Sequence, residues 1–111
     1  MSRTLEQNKD QSTLTPQEWA QCLIYFDGAC AYCGCTTKKG QRLTKDHLKP
    51  LSEGGATAAH NVVPACGRCN QAKGATDFRD WMMSQDNFSQ ERLNRVYRWR
   101  AIMVQLPAQD K

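Results

Sequence analysis

The chain has 111 residues, of which 15 are Lys or Arg, 11 are Asp or Glu, and 40% are apolar. This length supplies one hydrophobic core rather than two, and the net charge of +4 is too small for a disordered chain of this composition. The longest apolar runs, such as residues 22–26, fall far short of the roughly 20 residues of a membrane-spanning helix. We therefore expect a single folded domain with no membrane span.

The polar first ten residues lack the apolar segment of a secretory signal peptide, so the expected location is the cytoplasm. The chain also has six cysteines. In a reducing compartment, closely spaced cysteines are more often metal ligands than disulfide partners.

Caps and periodic apolar residues predict the first elements. Residues 1–14 lack periodicity and are expected to form a flexible tail, before a single domain over residues 15–106. Residues 15–18, Thr-Pro-Gln-Glu, form a capping box with proline at the first helical position. The helix that starts there has an apolar face of Trp19, Cys22, Leu23 and Phe26, and Gly28 is placed to end it.

Short strands are predicted next. Residues 29–43 are rich in turn formers and should form a tight cysteine loop leading into a hairpin. The two strands are expected over residues 43–48 and 61–63, joined by loop residues. A short helix over residues 66–73 should follow, ended by Gly74.

Two further helices complete the predicted order. One begins at Thr76 or Asp77 and carries Phe78, Trp81 and Met82. The other is capped by Ser89 and runs to about Leu106 before Pro107. Its apolar positions are Leu93, Val96, Tyr97, Trp99, Ile102, Met103 and Leu106.

Two Cys-x-x-Cys pairs, Cys30/Cys33 and Cys66/Cys69, predict a structural zinc site. One tight turn presents two sulfurs to one ion, and two such turns complete a tetrahedral site with no position left for substrate. The alternatives are disulfides, a redox pair or packed thiols. Cys35 is a rival ligand but is interpreted as a spare thiol, and Cys22 as a core residue.

The residues between and after these pairs form a longer pattern. It reads Cys-x-x-Cys, Asp-His-x-x-Pro-x-x-x-Gly-Gly, then Asn-Val-Val-Pro-x-Cys-x-x-Cys-Asn-x-x-Lys-Gly. This pattern over residues 30–74 resembles the HNH endonucleases of the ββα-metal class. The resemblance implies an α+β fold, a ββα-metal core with a four-cysteine zinc site and flanking helices over residues 77–106.

The residue types suit phosphodiester hydrolysis. This reaction needs a base for the attacking water, and His47 has the side chain that is basic yet largely neutral near neutral pH. Asp46 and the amide oxygen of Asn70 are hard donors that suit Mg²⁺, Mn²⁺ or another divalent metal. The resemblance assigns the same roles and makes Asn61 the central asparagine that orients the segment bearing His47.

Asn70 stands where the name-giving motif has its final histidine, so the preference between Mg²⁺ and nitrogen-favouring metals stays open. It follows Cys69 on the predicted helix, about 100° around its axis, so one helix can serve both metals. Asp46 and His47 are adjacent, and adjacent residues on a regular strand face opposite sides. The strand is therefore expected to bend or end there.

Positive charge is concentrated on the motif. Residues 30–73 contain seven basic and two acidic residues. Such a surface predicts DNA binding through phosphates with little sequence selectivity. Lys45, Arg68 and Lys73 are the candidate substrate contacts, although Lys73 has the alternative of a solvated charge. A second cluster, interpreted either as a duplex contact or as a solvated helix face, contains Arg92, Arg95, Arg98 and Arg100.

The sequence thus predicts a metal-dependent DNA endonuclease, acting as a monomer or a homodimer. The alternative is a noncatalytic zinc module that binds nucleic acid or protein. Both explain the cysteines, but only a nuclease explains Asp46, His47 and Asn70 together. RNA as the substrate is a third, weaker alternative.

Overall fold

The computed structural model describes residues 12–36 and 42–105. Within these residues a two-stranded sheet is surrounded by helices, which confirms the α+β class. The elements in chain order are α1 (Pro16–Tyr25), β1 (Thr44–His47), β2 (Val62–Ala65), α2 (Gly67–Lys73), α3 (Phe78–Met83) and α4 (Gln90–Gln105). Two 3-10 turns, Leu51–Glu53 and Ala59–Asn61, lie between the strands.

The predicted helix caps are confirmed. Thr15 and Glu18 form the reciprocal capping box of α1, with both hydrogen bonds present. After α1 the chain turns through Asp27 and Gly28, both with positive φ, which suits glycine best. Asp77 caps α3, and the Ser89 hydroxyl accepts a hydrogen bond from the backbone N–H of Arg92 at the start of α4.

The strands pair antiparallel, with Asp46 opposite Val63 and His47 opposite Val62. β1 ends at His47, as expected if the adjacent residues Asp46 and His47 are to serve the same site. The predicted second strand over 61–63 is shifted, because Asn61 belongs to the preceding 3-10 turn. His60 lies in that turn as well.

The core lies between the sheet, α1, α3 and α4. Leu93, Val96 and Trp99 of α4 are buried against it, and the indole of Trp99 donates hydrogen bonds to the backbone carbonyls of Ala59 and Val62. Tyr97 and Ile102 were predicted as apolar-face positions, but they are 39% and 44% exposed. Only one face of α4 is buried in the core: Tyr97 is partly exposed with its ring against that of Phe78, and Ile102 is exposed.

The remaining expectations concern the chain ends and the basic segment. Residues 1–11 of the predicted tail, the predicted helix end at Leu106 and Pro107, and residues 37–41 lie outside the described residues. Thr13 and Leu14, also assigned to the tail, both donate backbone hydrogen bonds to the carbonyl of Thr57. Across the described ranges, every helix is too short or too polar to cross a membrane.

Candidate functional site

Four cysteine sulfurs converge where the cysteine loop meets the start of α2. The sulfurs of Cys30, Cys33, Cys66 and Cys69 all lie within 4.8 Å of one another, and those of Cys33 and Cys66 are 3.9 Å apart. A tetrahedral zinc ion with bonds of about 2.3 Å places its sulfurs about 3.8 Å apart. The cluster therefore fits a four-coordinate metal such as zinc.

Local hydrogen bonds present the sulfurs. The backbone N–H of Gly34 donates to the carbonyl of Cys30, closing the first turn. Cys66 is the N-cap of α2, and its sulfur accepts from the N–H of Cys69. Burial opposes ionisation of Cys66, but hydrogen bonds from Cys69 and neighbouring thiols outweigh it and lower its pKa to about 7. The Cys66 sulfur therefore ionises more readily than an ordinary thiol, and the thiolate is the form that binds metal.

The two other cysteines differ from this cluster. Cys22 is buried in the core, and burial raises its pKa to about 12, as expected for a packed thiol. Cys35 is exposed and lies within hydrogen-bonding reach of Cys33 and Cys66. Its proximity keeps it a rival ligand.

The second group of polar residues surrounds the end of β1. Asp46 is buried, and its Oδ2 lies 3.1 Å from the ammonium of Lys73 and accepts a short hydrogen bond from the hydroxyl of Tyr32. Burial and the Asp46 carboxylate raise the pKa of Tyr32 well above its ordinary value, so the phenol keeps its proton and donates it. The carboxylate is thus held between two donors from different segments.

Lys73 is buried at the end of α2. Its ammonium also donates to the backbone carbonyls of His47 and Gly74. The interpretation of Lys73 as a solvated surface charge is therefore wrong: its ammonium fastens α2 to the end of β1.

His47 is half-buried, and its Nε2 lies 2.9 Å from the hydroxyl oxygen of Thr57. Burial lowers the pKa of His47 below its ordinary value of 6.5; the Asp46 charge opposes this shift and Lys73 adds to it. The imidazole is therefore neutral near neutral pH, which is the form that can accept a proton.

Asn61 closes the connection between the strands. Its Oδ1 accepts from the N–H of Lys49, and its Nδ2 donates to the carbonyls of Lys49 and Ala56. The same connection requires Gly55, because a Cβ there would lie 1.9 Å from the Lys49 carbonyl oxygen. Asn61 therefore fixes the loop that follows His47.

Asn70 lies on α2 beside the sheet. Its Nδ2 donates to the hydroxyl of Thr44 at 2.7 Å, and that hydroxyl in turn donates to the carbonyl of Ala65. Because the amide nitrogen is used in this way, the amide oxygen is left to accept other contacts or bind a cation.

Asp46, His47 and Asn70 line the same open cleft, which has a volume of about 300 Å³. It is lined by Asp46, His47, Pro50, Leu51, Ser52, Asn70, Gly74 and Ala75. The end of β1 supplies a carboxylate and an imidazole, and α2 supplies an amide oxygen. Such a donor set fits a hydrated divalent cation beside a base.

The predicted substrate contacts lie at different places. The ammonium of Lys45 is 5.2 Å from the centre of the Trp19 ring, on the exposed side of β1. Arg68 lines a separate cavity of about 370 Å³ beside the cysteine cluster, together with Cys35 and Trp81. Among the three, Lys73 is the residue that contacts the cleft residues directly.

Two arginines of the α4 cluster bind the protein itself. Arg92 donates from Nε to the carbonyl of Tyr32 at 2.8 Å, and Arg95 lies 3.4 Å from the Asp27 carboxylate. Both contacts join α4 to the segment after α1. These two guanidinium groups therefore have structural partners, whereas Arg98 and Arg100 are exposed.

The sequence interpretation missed three residues that support the cleft. Tyr32 binds Asp46, Thr57 binds His47, and Thr44 binds Asn70. Tyr32 stands inside the first Cys-x-x-Cys pair and Thr44 two residues before Asp46, so each was adjacent to a recognised motif. A single hydroxyl side chain produces no periodic pattern in the sequence, so nothing indicated that these three residues would contact the cleft residues.

Asn61→Ala should destabilise the domain by about 3 kcal/mol, because it leaves three partly buried backbone groups, the Lys49 N–H and the carbonyls of Lys49 and Ala56, without their partner. For a domain of this size we expect a melting temperature lower by roughly 10–20 °C, measured by circular dichroism. Asn94→Ala, on the exposed face of α4, is the matched control and should melt like the native protein. Equal melting of the Asn61→Ala variant would show that the loop is held by other contacts.

The sequence is similar to one known protein family and to two known proteins. Residues 30–76 match the family described as HNH endonuclease. Over 94 residues the chain is 34% identical to the SPbeta prophage-derived putative HNH endonuclease YoqL of Bacillus subtilis strain 168, covering 78% of this chain and 41% of that protein. Over 53 residues it is 42% identical to the CRISPR-associated endonuclease Cas9 of Corynebacterium diphtheriae, covering 47% of this chain and 5% of that protein. The chain thus spans less than half the length of either relative.

Proposed function

Because residues 30–76 belong to the HNH endonuclease family, we propose that the chain is a metal-dependent endonuclease that hydrolyses DNA phosphodiester bonds. The observation that carries this proposal is the convergence of Asp46, His47 and Asn70 on one open cleft. A noncatalytic zinc module would need the cysteine cluster but has no use for a carboxylate, a neutral imidazole and an amide around a separate cleft.

In the proposed mechanism, His47 takes the proton of the attacking water. We assign Nε2 as the donor to the Thr57 hydroxyl oxygen, which leaves Nδ1 with its lone pair as the basic nitrogen. Burial of the ring, with a smaller contribution from the neighbouring Lys73, lowers the pKa of His47 and so favours the neutral imidazole before the reaction. The Thr57 contact thereby fixes the orientation of the ring.

Asp46 and Asn70 are the proposed ligands of the catalytic cation, Mg²⁺ or Mn²⁺ by the hardness of their oxygens. When bound there, such an ion stabilises negative charge on the phosphate and on the leaving oxygen. The Thr44 hydroxyl orients the Asn70 amide so that its oxygen is available. The four cysteines hold zinc, which keeps α2 and the cysteine loop together.

A supercoiled-plasmid assay tests this function. At low salt, where phosphate contacts are strongest, we expect cutting with Mg²⁺ or Mn²⁺ and none with EDTA. Zinc content is measured after the EDTA treatment, so that loss of the structural metal is not mistaken for loss of the catalytic one. No cutting with any divalent metal would favour the binding module, and cutting of RNA alone would change the substrate.

Asn70→Ala should reduce plasmid cutting roughly 100-fold, the order expected when a reacting group is misplaced. The variant should retain zinc and helicity, because the cysteine cluster does not use the amide. Gln71→Ala, one residue along α2 and exposed, is the matched control and should cut normally. An Asn70→Ala protein with lost helicity would contradict the separation of structural and catalytic roles on α2.

A further inference from the structure

The ring, the backbone carbonyl and the hydroxyl of Tyr32 each contact another part of the protein. It stands between the zinc-cluster residues Cys30 and Cys33, and its side chain is only 3% exposed. Its ring packs edge-on against Trp81 with centres 5.4 Å apart. Its backbone carbonyl accepts a hydrogen bond from the Arg92 guanidinium at 2.8 Å. The phenol therefore has little freedom to choose its partner, and that partner is Asp46.

Both donors to the Asp46 carboxylate act on one oxygen. The Tyr32 hydroxyl and the Lys73 ammonium both contact Oδ2. The carboxylate belongs to a cleft that also contains the Asn70 amide. Among the described residues both contacts fall on Oδ2, so Oδ1 is the oxygen left for a ligand in the cleft.

We propose that Tyr32 is a positioning residue for the catalytic cation: its hydroxyl holds the Asp46 carboxylate so that Oδ1 is presented to the metal. This inference rests on the proposed function, because it assumes that Asp46 binds the cation. Without the phenol, Lys73 alone would hold the carboxylate. A carboxylate with a single cationic partner can rotate to offer it both oxygens, which would withdraw Oδ1 from the cleft.

The position of Tyr32 also links the two metal sites. The residue lies within the turn that presents Cys30 and Cys33, and its hydroxyl contacts the carboxylate directly. The loop that presents Cys30 and Cys33 thereby determines the position of Asp46. Partners that hydrogen-bond to metal ligands in this way typically change metal affinity by about 10–100-fold.

The test measures Mn²⁺ binding to the zinc-loaded protein without DNA, by the electron paramagnetic resonance signal of free Mn²⁺. Two variants, Asp46→Asn and Asn70→Ala, identify the Mn²⁺ that is bound in the cleft, because each removes one proposed ligand. Asn70→Ala is included because it leaves the ion pair of Lys73 with Asp46 intact. Tyr32→Phe removes only the hydroxyl and keeps the ring packing. We expect it to weaken cleft binding of Mn²⁺ by about 10–100-fold and to retain one equivalent of zinc.

Tyr25→Phe is the matched control, because the Tyr25 hydroxyl also donates a hydrogen bond, to the carbonyl of Arg95, but Tyr25 packs against Phe26 and Trp99 rather than lining the cleft. It should bind Mn²⁺ like the native protein, even if its melting temperature falls as much as that of Tyr32→Phe. Unchanged or tighter Mn²⁺ binding by Tyr32→Phe would overturn the inference alone. Native binding that neither Asp46→Asn nor Asn70→Ala reduces would overturn the cation site itself, and the inference with it.

Discussion

Replacing His47 by alanine should reduce DNA cleavage by about 10²–10⁴-fold, the usual contribution of a general base. The imidazole is the group in the cleft whose lowered pKa makes it a neutral proton acceptor. The change should leave the fold intact, since the ring is half-buried and its hydrogen bond is to the side chain of Thr57. The measurement is the rate of plasmid nicking at saturating Mg²⁺, with zinc content and melting temperature determined on the same sample.

The chain provides its own control for this experiment. His60 is the only other histidine, and it lies in the 3-10 turn that precedes β2. His60→Ala should cleave at the native rate. Equal cleavage by native protein and His47→Ala would remove the proposed base, and loss of cleavage in both histidine variants would point to a structural effect.

The second large effect is expected for Cys66→Ser, which should release zinc and unfold the domain. Structural zinc contributes about 10–16 kcal/mol in small zinc-binding peptides, comparable to the whole stability of about 5–15 kcal/mol of a typical domain. Serine is a good N-cap, so the capping role of Cys66 on α2 would survive. The expected loss therefore reports on the metal rather than on the helix start.

Zinc content by atomic absorption and the unfolding transition by circular dichroism give the readouts. Cys35→Ser is the matched control, because Cys35 lies beside the cluster but is exposed. It should retain one zinc ion and a cooperative transition. Zinc loss in Cys35→Ser with zinc retained in Cys66→Ser would show that Cys35 replaces Cys66 as a ligand.

Local signals predicted most of the fold. The capping box at Thr15, the Asp77 and Ser89 caps and the Cys-x-x-Cys spacing act within a few residues, so the sequence alone placed the helix starts and the cysteine cluster. The start of β2 was placed too early because Asn61 uses its side chain to hold the preceding loop rather than to begin a strand. Periodicity cannot register such a side-chain contact.

The supports of the cleft were beyond prediction for a different reason. The contact of Tyr32 with Asp46 and the burial of Lys73 depend on segments that only the folded chain brings together. A lysine near a helix end is usually solvated. The burial of Lys73 is tolerated here because its ammonium pairs with a carboxylate and donates hydrogen bonds to two backbone carbonyls. The same non-local packing uses Arg92 to hold the cysteine loop.

The shortness of α2 has a consequence for how this chain can vary. Within seven residues it carries Cys69 for the sulfur cluster, Asn70 for the cleft and Lys73 for the Asp46 carboxylate. Inserting or deleting one residue there would rotate everything downstream by about 100° and detach one group from its target. Among related active proteins we therefore expect insertions and deletions to be absent from α2. Substitutions in α2 should preserve the spacing of Cys69, Asn70 and Lys73 even where the surrounding sequence differs.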